Sequence, residues 1–563
     1  MACNLVINCK KPIHKIANGY KFPKRGAQVL LDIVFRGARI VDGTGTPWYM
    51  GDVGVLNGSI AALGNLSRES ARSAIDVGGR VLAPGFIDIH THSDFVVFRD
   101  PVMLSKLAQG VTTQVAGQCG QSAAPLDEKY IPLLESYLGF IMGGAKVSWN
   151  WRTFGEWLKE VEKLPLALNF APCLGHGTLR VAVMGFEDRK ATGEEIARMK
   201  NHVREAMEAG AFAFTSGLIY PPGVYTPKEE LWELSAILKE TGGFYMTHMR
   251  AESGGLLESV AETVELGRRA GVPVHISHHK ALGRDNWGLV NRSLKMIDEA
   301  RAEGVDVTID QYPYNYCSTT LRACLPPWAQ AGGVEAIRQR LADPQTRGKI
   351  AKEIEDSLSN PCGWESMLRH AGGAEGTLVM YCPNTQQWEG KTLQEIASAT
   401  NASPIDALFD IISANNGNDA ACYAAIGDDD IKTILAHPAT MIGSDSIPAA
   451  EGTKAHPRGF GTNPRVIAKY VREEKTISLE QAVYKMTGMP SARLGLQKKG
   501  LIRVGMDADI VIFDPQNIQD KATYEEPTLL ASGMDYVYIG GNKTMEGGAY
   551  TGAATGKVLR RGI

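Results

Sequence analysis

Between residues 81 and 444 the chain alternates two patterns. Short runs rich in Val, Ile, Phe and Thr, nearly free of charge, occur at 81–90, 111–118, 166–174, 211–217, 243–248, 273–278, 305–311 and 440–444. Unbroken apolar runs of this length suit parallel strands buried on both faces. Stretches with helical spacing separate several of them, most clearly 194–209, 228–241, 256–270 and 291–303. Gly210, Gly242, Gly271 and Gly304 follow, placed to end helices in the left-handed conformation. Eight strand–helix units predict an α/β protein built on a (β/α)8 TIM barrel, spanning residues 84–489. A doubly wound sheet is the alternative, but no Gly-x-Gly-x-x-Gly follows the first strand.

The flanks read differently. From 28 to 83 apolar and polar residues alternate over short segments, with Asn57-Gly58 as a hairpin turn. The same texture returns in 510–513 and 536–539, so 28–83 and 490–563 together predict a small β-sandwich domain made from both chain ends. The spacing breaks once, between 311 and 440, where one further strand is needed and an inserted subdomain is expected at 325–390. It carries helices at 333–343 and 346–357, while a helix at 404–414 is assigned to the barrel wall. Residues 1–27 form an N-terminal extension.

Composition narrows the function. The net charge of −3 offers no electrostatic reason to bind nucleic acid or an acidic membrane surface. No apolar run approaches the roughly 20 residues that span a bilayer. The extension has Lys10, Lys11, Lys15, Lys21, Lys24 and Arg25 but no long apolar segment, which argues against a signal peptide. Nine scattered cysteines without a Cys-x-x-Cys pair point to a reducing, cytoplasmic setting and leave any of them available as a ligand.

Barrel enzymes place their chemistry at the C-terminal ends of the strands. Strand one runs into His90-Thr91-His92, whose i, i+2 spacing projects both imidazoles from one face of an extended chain. The later ends carry Gly117-Gln118-Cys119-Gly120, Gly217 to Gly223, Thr247-His248, Ser277-His278-His279-Lys280, Asp310-Gln311-Tyr312 and Ser444-Asp445. Four histidines, one cysteine and one aspartate would therefore share one mouth, a donor set suited to zinc. His279 points away from His278 on a strand and is read as packing or supporting; His275 is set aside.

The run Pro84-Gly85-Phe86-Ile87-Asp88-x-His90-x-His92 with Cys119, His248, His278 and Asp445 resembles the amidohydrolase superfamily. Within it, Gly-Gln-Cys-Gly, 217–223, Ser277 to Lys280 and His456-Pro457-Arg458-Gly459 resemble the N-acyl-D-amino-acid deacylases, the D-aminoacylase branch, over residues 28–545. The resemblance implies zinc-dependent hydrolysis of linear amides, with an N-acyl amino acid as the small-molecule partner. Related enzymes often bridge two metals with a carboxylated lysine on strand four, where this chain has Ser216-Gly217; a Cys119 thiolate could take that place. The expected arrangement is a tight zinc on Cys119, His248 and His278, and a weaker second locus at His90, His92 and Asp445, with Cys119 able to touch both.

Asp445 is the expected general base and acid. Lys280, two residues after a ligand on the same strand face, is the expected clamp for the substrate carboxylate. Tyr220 and Tyr312 are expected to line the pocket, with Arg250 and Arg458 as further charge contacts. A cyclic-amide hydrolase of the dihydroorotase or hydantoinase kind is the nearest alternative, and a non-catalytic scaffold on the same fold a more distant one. The acyl chain, the side chain and the oligomeric state are not encoded in these patterns.

Overall fold

The computed structural model describes residues 30–360, 363–447, 449 and 453–562. The extension read at 1–27 lies outside the described residues, as does Cys362. The barrel strands are β1 (Phe86–Asp88), β2 (Val111–Ala116), β3 (Asn169–Pro172), β4 (Ala213–Gly217), β5 (Phe244–His248), β6 (Val274–Ile276), β7 (Val307–Gln311) and β8 (Thr440–Ile442). Every neighbouring pair is parallel: β1-β2-β3 form one ladder and β4 to β8 another. Leu174–Gly175, just after β3, pairs with β4 and joins the ladders. The cylinder closes where Thr91 bridges Ser446 and the His92 N–H donates to Ser446 O at 2.9 Å.

The helices between strands fall where the spacing placed them, among them Gly193–Glu208, Lys228–Thr241 and Leu256–Ala270. Thr192 and Glu195 form a capping box that satisfies orphan N–H groups at the first of these. Gly242 and Gly271 close the other two with φ of 73° and 66°. Inside the barrel Ile87, Ile89, Val115, Cys173, Met246 and Met441 pack as one buried cluster. Ile87 and Ile89, like Phe244 and Met246, sit two residues apart and so share a face.

Strands from both chain ends meet in one nine-stranded sheet. It contains the expected hairpin, Tyr49–Leu56 with Ser59–Gly64, and the C-terminal strands Ile510–Phe513 and Met534–Ile539. Phe35 packs edge-on against Tyr538 in its core, with centroids 5.0 Å apart.

Several expected boundaries shift. The run 81–90 is two strands: Val81–Pro84 pairs antiparallel with Ile510–Phe513 in the sandwich, and Phe86–Asp88 belongs to the barrel. Gly85 is the joint. Its N–H donates to Asp509 O at 2.9 Å, and the next N–H, Phe86, donates to Gly110 O at 2.9 Å. The helix Pro404–Ala414 packs on Gly333–Ala342, Pro344–Ser359 and Leu393–Thr400, so it belongs to the insertion. The helix before β8 is instead Asp428–Ala436. The insertion is longer than 325–390, because Cys317–Thr319, Ala420–Tyr423, Thr377–Tyr381 and Lys391–Thr392 form its own antiparallel sheet. At the C-terminal side, position 490 falls inside the helix Gly488–Leu494, which packs on the barrel. The tail also leaves the sandwich: Leu559 N–H donates to Phe170 O at 2.7 Å, and Arg561 N–H to Gly210 O at 3.0 Å. Short strands and tails of this kind carry no periodicity of their own; their pairing partners define them.

A Cβ at Gly85 would stand 2.2 Å from Thr112 Oγ1 and 2.7 Å from its Cβ. Gly85→Ala should lower stability by about 1–3 kcal/mol, the cost of overpacking a tight site. Denaturant unfolding of the two proteins measures it, and an unchanged midpoint would show that the joint tolerates movement.

Candidate metal centre and substrate chamber

Beyond β1 the chain continues alongside the end of β8, where the Asp445 N–H donates to His90 O at 2.8 Å. This pairing aims both histidines at one carboxylate. His90 Nε2 and His92 Nε2 each lie 3.2 Å from Asp445 Oδ1. Cys119 projects from the turn after β2, with Sγ 3.4 Å from His90 Nε2 and 3.3 Å from His278 Nε2. The ligand atoms of His90, Cys119, His278 and Asp445 all lie within 4.8 Å of one another, and all four residues are buried. His248, at the end of β5, stands against His278 with ring centroids 4.3 Å apart and forms a second group with Glu252 and His278. Cys119 Sγ sits almost midway between His90 and His278, within reach of both expected loci.

Backbone geometry sets these donors. Cys119, His278 and Asp445 have φ of 52°, 36° and 49°, in the left-handed region that side chains other than glycine seldom adopt. Such conformations cost on the order of 1–3 kcal/mol each and persist where the surroundings over-determine them. Gly117 makes the Cys119 turn possible: with φ at +84°, a Cβ there would lie 2.0 Å from Cys173 O.

Charged groups surround the cluster. Asp310 Oδ2 accepts from His275 Nε2 at 2.8 Å and faces His90 Nδ1 at 3.2 Å. Burial alone would lower the His90 pKa, but the charges of Asp310, Cys119 and Asp445 raise it well above its ordinary value. Arg458 Nη1 lies 2.9 Å from Asp445 Oδ2. Burial works against the Asp445 carboxylate, yet Arg458, His90 and His278 hold it well below the usual range. Burial pushes the Cys119 thiol up to about 11, opposed by His90. Burial likewise lowers His248 and His278 well below the ordinary imidazole value, so both are neutral donors at pH 7.

The donors fit a metal. Thiolate, neutral imidazole and carboxylate are the ligand types that zinc takes. Among the described residues, both ring nitrogens of His248 and Nδ1 of His92 are buried without a hydrogen-bond partner, as are Tyr312 Oη and Arg458 Nε nearby. Buried polar atoms are seldom left unpaired without reason. Here they converge on one chamber, lined by His92, Cys119, His248, His278, Asp445, Lys280, Tyr220, Tyr312 and Arg458 among others.

A family model described as "Amidohydrolase family" matches residues 73–544. This chain belongs to the amidohydrolase family. It is 37% identical over 530 residues to a D-aminoacylase of Alcaligenes xylosoxydans, covering 94% of this chain and 98% of the relative. A solved D-aminoacylase structure superposes with a TM-score of 0.80 at 36% identity, covering 94% of this chain and all of that one. An N-acyl-D-glutamate deacylase from Bordetella bronchiseptica, complexed with zinc and a phosphonate mimic of the tetrahedral intermediate, superposes with a TM-score of 0.79 at 31% identity over 94% of this chain and all of that one. The (β/α)8 barrel with a β-sandwich domain is the fold these structures share.

Other expected residues separate into two places. Lys280 lines this amidohydrolase's chamber but is already engaged, with Nζ 2.6 Å from Glu252 Oε1 and 2.8 Å from His278 Nδ1. Tyr220 packs edge-on against His248 at 5.1 Å, and Tyr312 lies under the Arg458 guanidinium at 4.6 Å. Arg250 is not in the chamber: it pairs with Glu262 at 2.9 Å, donates to Val224 O and Thr226 O, and borders an adjacent cleft. The chain turns away after β5, which carries Arg250 outward although it lies only two residues beyond His248. His279 donates to or accepts from Ser293 at 2.8 Å, the supporting role read for it.

Sequence reasoning missed Glu252, Asp310 and Lys106. Glu252 Oε1 lies 3.0 Å from His278 Nδ1, which leaves Nε2 of that ring directed at Cys119. Lys106 Nζ donates to Asp88 Oδ2 at 2.7 Å and to Ser444 and Ser446, stitching β1 to the end of β8. Asp310 stood in the open at a strand end; Glu252 and Lys106 lie on irregular or very short segments with no pattern to mark them. Glu252→Gln should weaken metal binding about 10–100-fold, the usual effect of removing a carboxylate behind a metal-binding histidine. Competition with a chromogenic chelator reads this, and an unaltered affinity would remove Glu252 from the site.

Proposed function

We propose that this chain hydrolyses the amide bond of N-acyl-D-amino acids at a zinc centre held by His90, His92, Cys119, His248, His278 and Asp445. The observation that carries the reading is the single chamber in which the buried donor cluster faces the cations Lys280 and Arg458. When bound there, zinc supplies Lewis acidity, making water acidic enough to act near neutral pH and polarising a carbonyl.

The protein's own groups do the rest. Asp445 is ionised at neutral pH and accepts a proton from the attacking water, then returns it to the nitrogen as the C–N bond breaks. The products are a carboxylate and a free amino acid. Arg458 holds Asp445 by one oxygen and leaves the other facing His90 and His92. Lys280, Arg458 and Tyr312 form the wall that receives the substrate's α-carboxylate; Tyr312 Oη and Arg458 Nε have no hydrogen-bond partner among the described residues. Tyr220 braces His248, and its hydroxyl accepts from Thr319 at 3.1 Å. Strand four offers Ser216, bonded to Thr247 Oγ1 at 2.8 Å, where a bridging lysine would be needed by a cyclic-amide hydrolase of the usual kind.

Elemental analysis of the purified protein should find at least about one zinc per chain, with activity lost on chelation and regained on adding zinc. Full activity in metal-free protein would end this reading. Across a panel of N-acetyl amino acids, D-enantiomers should be cleaved at least about 100-fold faster than L in kcat/KM, since the two hands place the amide differently relative to the clamp. Asp445→Asn should lose about 100- to 10,000-fold in kcat, the range of a positioned acid–base group. Lys280→Met should raise KM for N-acetyl-D-amino acids more than it lowers kcat. An equal loss with an N-acetyl amine that lacks a carboxylate would exclude the clamp.

A further inference from the structure

Of His456-Pro457-Arg458-Gly459, only Arg458 lines the chamber. His456 is buried and stands two residues before Arg458, the first residue of the helix Arg458–Arg465. A helix leaves its first N–H groups without partners of its own. The Arg458 N–H finds one in the histidine ring, donating to His456 Nδ1 at 3.0 Å. Nδ1 therefore carries a lone pair and the proton sits on Nε2, which donates to Tyr316 O at 2.9 Å. With both nitrogens engaged, the tautomer and the orientation of the ring are set. Burial, and after it the charge of Arg458, hold the ring well below its ordinary pKa, so it stays neutral.

Three tyrosines enclose this ring edge-on. Tyr314 and Tyr524 lie with centroids 5.4 Å away and Tyr312 at 6.2 Å. Tyr312 is also the ring beneath the Arg458 guanidinium. Tyr524 comes from the segment between Ile510–Phe513 and Met534–Ile539, two strands of the sandwich sheet. The same segment grips the far end of the helix, where Arg465 Nη1 lies 2.8 Å from Asp520 Oδ2. Arg458 is thus located by its backbone at His456, and its guanidinium ends 2.9 Å from Asp445 Oδ2. We propose that His456 is a positioning residue, held by Tyr524 of the sandwich domain, which sets Arg458 where it orients the Asp445 carboxylate. This rests on the deacylase reading, in which Asp445 carries the proton. It gives the sandwich domain a part in turnover from outside the chamber lining.

The test uses the zinc-loaded full-length enzyme and the N-acetyl-D-amino acid of the panel above that it turns over best. His456→Phe keeps a ring but accepts nothing from the Arg458 N–H. Its kcat should fall about 100-fold, the cost of a displacement near 1 Å at a reacting centre, with zinc content unchanged. His456→Asn restores an acceptor for the N–H two residues on, as in an Asx-turn, and should be about 10-fold or more faster than His456→Phe, the worth of one buried hydrogen bond. Tyr524→Leu should lower kcat about 3- to 10-fold, in the range of one aromatic contact. A double-mutant cycle reads whether His456 acts through Arg458: in an Arg458→Met background, His456→Phe should cost less than about 3-fold more, because both changes remove the same interaction. Should His456→Phe not fold, Tyr524→Leu carries the same cycle with the same non-additivity expected. Losses that multiply, full kcat in His456→Phe, or an Asn variant no better than the Phe one overturn the His456 assignment and leave the deacylase reading intact. Wild-type protein that turns over nothing in the panel overturns both.

Discussion

Four electron-rich donors crowded within 4.8 Å of one another in a buried rim are an unfavourable arrangement on their own. Without positive charge between them their lone pairs repel, and burial removes the water that would separate them; a proton on His90, favoured by Asp310, Cys119 and Asp445, offsets part of this. Much of the surrounding architecture offsets this cost. Arg458 neutralises Asp445 from one side, Asp310 supports His90 from behind, and Glu252 lies between His278 and Lys280. A divalent cation at the focus would remove the remaining repulsion, so the donor set fits a metal ion.

The barrel makes the crowding possible. The strand ends bring their donors to about the same height, and closure of β1 onto β8 decides whether His90, His92 and Asp445 meet. That seam is short in regular hydrogen bonds and is reinforced by Lys106, which reaches Asp88, Ser444 and Ser446 from within the wall. A buried lysine is costly alone, and burial lowers its pKa here; the Asp88 carboxylate at 2.7 Å compensates. Stability of the wall and geometry of the site thus depend on the same few side chains.

The insertion after β7 roofs part of the barrel rim and deepens the chamber. It has its own antiparallel sheet and helices, and Ile337, Met367, Thr319 and Arg322 from it complete the lining. The metal-competent donors, and Lys280, Tyr312 and Arg458 beside them, sit on the barrel mouth, whereas the insertion adds lining farther from the donors. Loops and insertions on a rigid scaffold commonly extend a site in this way.

Much of the molecule was legible in the linear chain. Apolar runs and helical spacing identified all eight barrel strands, because a strand buried on both faces leaves an uninterrupted signature. His90-x-His92, Cys119, His248, His278 and Asp445 were identifiable because barrel chemistry occupies strand ends and strand ends can be counted. What the linear chain could not contain was pairing. Only three-dimensional neighbours split 81–90 at Gly85 between two sheets, moved the 404–414 helix into the insertion, and carried Arg250 out of the chamber. Glu252 and Lys106 became visible for the same reason: a side chain's role is set by what lies within about 3 Å of it, and those neighbours are as many as 340 residues away in sequence.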